Sequence, residues 1–404
     1  MAQQGARDLV LFDFDGTLFR LGTDWAGLRR DLQRIAREQG IEANGAGVLE
    51  LALAVDADAT VDRAELAGLD AGSELDPGVE LYRRFTEGGA TVAVVTHNGR
   101  KVVEEFFRRR ELPAPAEIFD RRALGGWKSE SEAVAEYAHG AESIVVVGDS
   151  DFDRALAERL GARFVHPLQD YYNRKAGELD ELAVTYESRD PYKRWFYGRR
   201  FVAVMSALDA QPGDDVLEVG CGSGYYTRAL VDLGARVTAT DLSPAYVEQA
   251  QRLAPGAEFR VEDAQRLSFA DESFDRVLLT EVVEHVSDPA RAMAEAARVL
   301  RQGGVLALST PSRRSPMNAA YALKRRIRGY DVNEHLHELT SGELRQLLAT
   351  SFEIERFERV NAVLPYPLDS AYMRLGSPAL PLLGRLERRL GRLGWTMVVR
   401  ARRR

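Results

Sequence analysis

The sequence of 404 residues holds a single cysteine, Cys221, which excludes an internal disulfide framework and the small secreted folds that depend on one. Its apolar residues nowhere gather into the roughly 20-residue run that a membrane-spanning helix requires. The opening MAQQGARD lacks the apolar core of a secretion signal, so the expectation is a cytoplasmic protein. Positive charge is not in excess either. A formal net charge of −8 gives no bias toward nucleic acid, and a polyanionic partner would need a local basic patch. Internal repeats and low-complexity tracts are absent. What remains is a globular composition, 45% hydrophobic and 29% charged, at a length that lets two domains each bury a core.

Short β-rich runs alternate with helical stretches, the pattern of parallel α/β domains, and the pattern runs twice. In the first half the expected strands are Leu9 to Phe12, Thr91 to Val95, Ile144 to Val147 and Arg163 to Val165. Between them, residues 20–72 are Ala/Leu-rich and helical and read as a small inserted cap. In the second half seven strands are expected: Val216 to Val219, Arg236 to Thr240, Glu258 to Val261, Arg276 to Leu279, Val305 to Ser309, Phe352 to Glu358 and Trp395 to Arg400. The charged, tyrosine-rich LQDYYNRKAGELDELAVTYESRDPYKRWFYG separates the halves, and the boundary is placed near residue 180, giving domains 1–180 and 181–404. The fold class expected is α/β, two doubly wound Rossmann-like domains, the first with a helical cap and the second a seven-stranded sheet.

Ligands of open parallel sheets sit outside the carboxyl ends of the strands. In LVLFDFDGTL the first strand ends on Asp13 and Asp15. Thr96 and Asn98 follow the second strand in VAVVTHNGR, Lys128 lies in GGWKSES, and Asp149 and Asp153 follow the third in VVVGDSDFD. Each acid alone reads equally as a turn or cap residue; it is the four motifs in order that count. Over residues 7 to 168 the set resembles the haloacid dehalogenase superfamily of phosphohydrolases. The resemblance implies that Asp13 attacks phosphorus to form an aspartyl-phosphate and that Asp15 protonates the leaving alcohol and then activates water. It also implies that Mg²⁺ lies among Asp13, Asp149 and the backbone carbonyl of Asp15. Asp153 would support the metal site and Lys128, and Thr96 would hold phosphoryl oxygens.

The second half opens with DDVLEVGCGSGYYTRAL, a strand running from Glu218 into Gly220, Gly222 and Gly224 and then a helix, which lets a ligand approach the backbone closely. The third glycine comes one residue too early for a dinucleotide fingerprint, which argues against NAD. TATDLSP ends the next strand on Asp241, placed for two ribose hydroxyls, and VEDAQRL puts Asp263 where an acid can read an adenine amino group. Together these resemble class I S-adenosylmethionine-dependent methyltransferases, and VVEHVSDP with RVLRQGGVLALSTP is similar to the ubiquinone-pathway O-methyltransferase branch. The resemblance covers residues 191 to 404 and implies S-adenosylmethionine held by Glu218, Gly220, Gly222, Gly224, Asp241 and Asp263.

In TEVVEHV, Glu281, Glu284 and His285 stand at i, i+3 and i+4, so a helix starting there would put them on one face. With His335 or His337 from NEHLHELT they form a candidate second divalent-metal set; otherwise His285 is a plain general base or substrate contact. Two basic stretches, SRRSPMNAAYALKRRIRG and GRLERRLGRLG with the terminal RARRR, are either solvated faces or a surface for an anionic acceptor or a membrane. The expectation is a bifunctional enzyme: a Mg²⁺-dependent phosphatase for a small phosphomonoester, joined to a methyltransferase for a small acceptor, with the two steps consecutive. The alternatives are a methyltransferase carrying a silent phosphatase-like binding or regulatory module, or an RNA 3'-end phosphatase and 2'-O-methyltransferase, which the acidic balance disfavours.

Overall fold

The computed structural model describes residues 8–41, 48–178, 186–315, 338–361 and 394–404. These form two compact units, the first ending at Asp170 and the second beginning at Tyr171. The division falls inside the helix Pro167–Glu178, short of the residue-180 boundary expected from sequence.

In the first unit β1 (Asp8–Phe12), β4 (Thr91–Val95), β5 (Glu117–Phe119), β6 (Ser143–Val147) and β7 (Arg163–Val165) make a parallel sheet in the order β5-β4-β1-β6-β7. β1 lies at the centre because both of its faces are apolar. Val10 and Phe12 pack with Tyr82, Val102 and Phe106 from the helices Asp76–Glu87 and Arg100–Arg110. Leu9 and Leu11 pack on the other face with Val134 and Leu156 from the helices Glu132–Ala138 and Asp151–Leu160. A strand covered on both sides reads as an unbroken apolar run, which is why it was legible. β5 was not read from the sequence: only Ile118 and Phe119 of its three residues are apolar, and prolines at 113 and 115 precede it. The helices Trp25–Glu38, Val48–Ala54 and Asp58–Ala71 build a cap with its own core of Leu28, Leu32, Leu51, Val55 and Val61. The chain enters and leaves it through an antiparallel pair, β2 (Phe19–Arg20) and β3 (Ser73–Glu74).

In the second unit all seven expected strands form, as β8 (Asp215–Val219), β9 (Arg236–Asp241), β10 (Glu258–Val261), β11 (Phe274–Thr280), β12 (Leu300–Pro311), β13 (Phe352–Val360) and β14 (Thr396–Arg403). Their order is β10-β9-β8-β11-β12-β14-β13, parallel except for β14, which runs antiparallel between β12 and β13. Val216, Leu278 and Ala307 cover one face with the helices Pro191–Leu208 and Tyr225–Leu233; Leu217, Leu279 and Leu306 cover the other with Pro289–Val299 and Ser341–Ala349. Among the described residues no helix is long and apolar enough to cross a membrane.

Candidate active sites

At the carboxyl end of β1 the backbone continues for one residue, with Asp13 N donating to Val147 O at 2.8 Å, before the chain turns away. The turn needs Gly16: its φ is +86°, and a Cβ there would stand 2.6 Å from the Asp149 carboxylate. Lys128, buried at the start of a single 3₁₀ turn, reaches Asp13 Oδ2 at 3.0 Å and Asp153 Oδ1 at 2.6 Å. Asp153 Oδ2 accepts from Ser150 N at 3.0 Å, and Thr17 Oγ1 donates to Asp149 Oδ1 at 3.2 Å. Carboxylate oxygens of Asp13, Asp149 and Asp153 lie within 4.8 Å of one another.

This arrangement carries more negative charge than Lys128 can balance. Burial, and after it the Asp153 carboxylate, hold the Asp13 carboxyl well above the usual carboxylate range even though Lys128 pulls the other way. Burial pushes Asp15 up to about 6, against the Leu21 N–H that its Oδ1 accepts at 2.8 Å. An all-oxygen donor set with an excess of carboxylate charge is what a hard divalent cation needs, so Mg²⁺ fits among these acids.

Asp13, Asp15, Thr96 and Lys128 line one cavity of about 260 Å³. The structure therefore gathers all six residues expected for this site. Thr96 Oγ1 donates to Asn98 Oδ1 at 2.7 Å, and Asn98 Nδ2 donates to Glu65 Oε1 at 3.1 Å. Glu65 Oε2 accepts from Gly99 N at 2.9 Å and from Arg121 at 3.0 Å. Arg121, 2% exposed, also grips Asp58 at 2.9 Å and Asp62. Sequence reading missed Thr17, Glu65 and Arg121. The one available signal was Asp58, Asp62 and Glu65 recurring at helical spacing.

In the second unit β8 runs into Gly220, whose φ is +75° and where a Cβ would meet Val282 Cγ2 at 2.3 Å. Gly220 N and Cys221 N both donate to Thr240 O at 2.8 Å, tying the loop to β9. Gly222 N donates to Asp241 Oδ2 at 2.9 Å, and Gly224 caps the helix Tyr225–Leu233. Asp241 Oδ1 accepts from Ser243 N at 2.9 Å. Asp263 follows the neighbouring strand β10, where its Oδ1 accepts from Gln265 N at 2.9 Å. Glu218 is 1% exposed and accepts from Thr227 Oγ1 at 2.6 Å, so it stands beneath the loop as a support. Burial pushes its carboxyl up to about 8 despite that hydrogen bond.

The helix expected to begin in TEVVEHV does not form; residues 283–285 make a turn, and the helix starts at Pro289. Two features decide this. Glu281, directly after β11, takes a left-handed φ of +54°. Asp288 then supplies the cap, its side chain accepting from Arg291 N at 3.0 Å, with proline next in the first helical position. Glu281, Glu284 and His285 consequently point to different partners. Glu281 accepts from Ser309 Oγ at 2.7 Å and pairs with Arg200 at 3.1 Å. The buried Glu284 accepts from Thr310 Oγ1 at 3.0 Å, and His285 Nδ1 contacts the Tyr172 hydroxyl at 2.9 Å. Among the described residues the metal-type cluster is that of Asp13, Asp149 and Asp153; His335 and His337 lie outside them. The terminal RARRR is also not a free basic patch: Arg400 and Arg402 pair with Glu355, at 2.7 and 2.5 Å, and Arg403 with Glu272 at 3.2 Å, within β14. The other two basic stretches fall mostly outside the described residues.

Residues 217–308, which include the glycine loop, Asp241, Asp263 and the 283–285 turn, match the family model described as a methyltransferase domain. Three relatives match part of the chain. An uncharacterized 37.1 kDa protein of a Streptomyces fradiae transposon is 40% identical over 139 residues, 33% of this chain and 38% of its own length. A probable S-adenosylmethionine-dependent methyltransferase of Mycolicibacterium smegmatis is 35% identical over 170 residues, 40% of this chain and 60% of its own. A ubiquinone biosynthesis O-methyltransferase of Xanthomonas campestris is 40% identical over 124 residues, 30% of this chain and 51% of its own. The chain thus spans between 38% and 60% of these curated relatives. Over residues 217–308 its second unit is similar to a methyltransferase domain.

Proposed function

We propose that the chain is a bifunctional enzyme, a Mg²⁺-dependent phosphomonoester phosphatase over its first unit, up to Asp170, and an S-adenosylmethionine-dependent O-methyltransferase over its second, from Tyr171. For the first activity the carrying observation is Lys128 held between Asp13 and Asp153 with Asp149 in reach, an acid-rich cluster short of positive charge. The Asp13 carboxylate, ionised beside Lys128, attacks phosphorus as the ester oxygen departs, and Asp15 in its protonated form gives that oxygen its proton. Asp15 then takes a proton from the water that opens the aspartyl-phosphate, which releases inorganic phosphate and restores Asp13. Lys128 and Thr96 hold the phosphoryl oxygens. Asp13, Asp149 and the Asp15 backbone carbonyl would hold Mg²⁺, with Asp153 supporting them, and the ion would supply the remaining charge compensation.

For the second activity the carrying observation is the family match over a loop whose backbone is already ordered by Asp241. Gly220, Gly222 and Gly224 leave room for S-adenosylmethionine, Asp241 accepts from its ribose hydroxyls, and Asp263 reads the adenine amino group. When bound, that cofactor supplies an electrophilic methyl group on a sulfonium. His285, whose Nδ1 lies 2.9 Å from the Tyr172 hydroxyl, takes the proton of the acceptor hydroxyl on Nε2. The two reactions are proposed to be consecutive, one enzyme-bound hydroxyl being freed by one site and capped by the other, or the methylated product being dephosphorylated. The test is a set of small phosphomonoesters with Mg²⁺, run beside methyl transfer from labelled S-adenosylmethionine to their dephosphorylated counterparts. Hydrolysis and methylation of one carbon skeleton support the reading. Methyl transfer without any hydrolysis would leave the first unit a binding module.

A further inference from the structure

The cavity of the first unit has two unlike walls. Asp13, Asp15, Thr96 and Lys128 form the end where a phosphoryl group belongs, and the cap contributes Trp25, Val48, Ala52 and Val61. Val48, Ala52 and Val61 are the inner edge of the cap's own core. Trp25, in the first turn of its helix, stays 36% exposed and lines the cavity. Of Trp25, Val48, Ala52 and Val61, Trp25 alone brings a group able to form a strong hydrogen bond, its indole N–H.

The other polar groups that share the cavity, His97, Asn98, Glu65 and Arg121, are engaged within the protein: His97 Nε2 lies 3.2 Å from Gly126 O, and Asn98 accepts from Thr96 at 2.7 Å and donates to Glu65 at 3.1 Å. Glu65 already accepts from Asn98, Gly99 and Arg121, and Arg121 is held by Asp58, Asp62 and Glu65. At about 260 Å³ the space also falls below the range of drug-sized pockets. After a phosphoryl group has entered, only a handful of further heavy atoms fit.

We propose that the ester hydrolysed here has a compact leaving group that is apolar on its cap-facing side, a short branched alkyl or aryl alcohol and not a polyol or sugar. This rests on the phosphatase reading. A hydroxyl turned toward Val48, Ala52 and Val61 gives up its hydrogen bonds to water and finds none in return, whereas a methyl group turned the same way gains from burial. Sites of this kind discriminate mostly by leaving the wrong substrate's polar groups unpaired.

The decisive comparison uses two primary alkyl esters of similar size and leaving-group basicity, isobutyl phosphate and glycerol 3-phosphate, with the full chain and Mg²⁺. The expected result is a kcat/KM at least about tenfold higher for isobutyl phosphate, equal to about 1.4 kcal/mol. Val61→Asn should bring the two esters to within about threefold, as hydrogen-bonding groups on that wall favour the polyol. Trp25→Ala, at a position exposed enough to tolerate truncation, should lower the preference in the same direction by a few-fold. Equal or better use of glycerol 3-phosphate by the wild-type chain overturns the leaving-group class while keeping the phosphatase. If neither ester is hydrolysed, the phosphatase reading fails and the inference falls with it.

Discussion

The two sites occupy the same address, the carboxyl ends of strands in a parallel sheet, and are made of opposite materials. The first is built of side-chain charge: Lys128 pairs with the buried Asp13 and Asp153, and Asp149 stands beside those two acids. The second is built of backbone, a glycine loop whose N–H groups are fixed to Thr240 O and Asp241, with a buried Glu218 answered by the Thr227 hydroxyl. The difference follows from the reactions proposed. A phosphoryl group meeting a carboxylate nucleophile brings negative charge to negative charge and needs cations fixed in advance. A sulfonium is already reactive, and the protein mainly has to position it. Single side-chain changes should therefore be catastrophic in the first site and graded in the second.

The sharpest way to break that contrast is Asp13→Asn. It keeps the shape and removes the nucleophile, so phosphomonoester hydrolysis should fall by on the order of 10⁴-fold or more, while methyl transfer by the same sample continues. Hydrolysis at the wild-type rate would show that Asp13 forms no bond to phosphorus. Arg121→Met comes next. It leaves Asp58, Asp62 and Glu65 facing one another without their shared cation, and removing one partner of a buried ion pair costs about 3–5 kcal/mol. Hydrogen exchange should speed up over the helix Asp58–Ala71 and leave β8 and β11 of the second unit untouched. Unchanged exchange in that helix would mean that the acids of the cap do not depend on Arg121.

The sequence disclosed the parts of this molecule whose cause is local. β1 was readable because its alternate residues are buried against two different layers, and the acids after it because a motif fixes them to a strand end. The glycine loop was readable for the same reason. Glu65 was not, because its partner Arg121 lies 56 positions away and only the folded cap brings them together. The segment TEVVEHV was misread because E-x-x-E-H fits a helical repeat. The stronger local instruction was the cap and proline at Asp288 and Pro289, and the end of β11 forces Glu281 into the left-handed region before any helix can begin.

Within the second site, Asp241→Ala should weaken S-adenosylmethionine binding about tenfold to a hundredfold by calorimetry, the loss of hydrogen bonds made by a charged acceptor. Part of that loss would come from Gly222 N and Ser243 N, which lose the carboxylate that orders them. Asp241→Asn, which keeps one acceptor oxygen, should lie between the variant and the wild type. Wild-type affinity in Asp241→Ala would remove the carboxylate from the ribose contact.

The effect expected at Glu218 appears in stability alone, and it separates a supporting acid from a reacting one. Its carboxyl is buried and pushed up to about 8 from an ordinary value of 4.5. Between those two values the native chain keeps a proton that the unfolded chain has released, so the unfolded state binds fewer protons and stability falls as pH rises. The fall is at most about 1.4 kcal/mol per pH unit for one proton. It ends above about 8, where both states are ionised, and below 4.5 both are protonated and the favourable contribution is fully present. Glu218→Gln keeps an oxygen to accept from Thr227 Oγ1 and cannot ionise. Urea unfolding of the second unit at pH 5.5 and pH 8 should therefore show a shallower loss of stability in the variant than in the wild type, the difference corresponding to about one proton. Equal losses would mean that Glu218 ionises in the native protein as it does in the unfolded chain, and that the loop above it rests on a charged carboxylate.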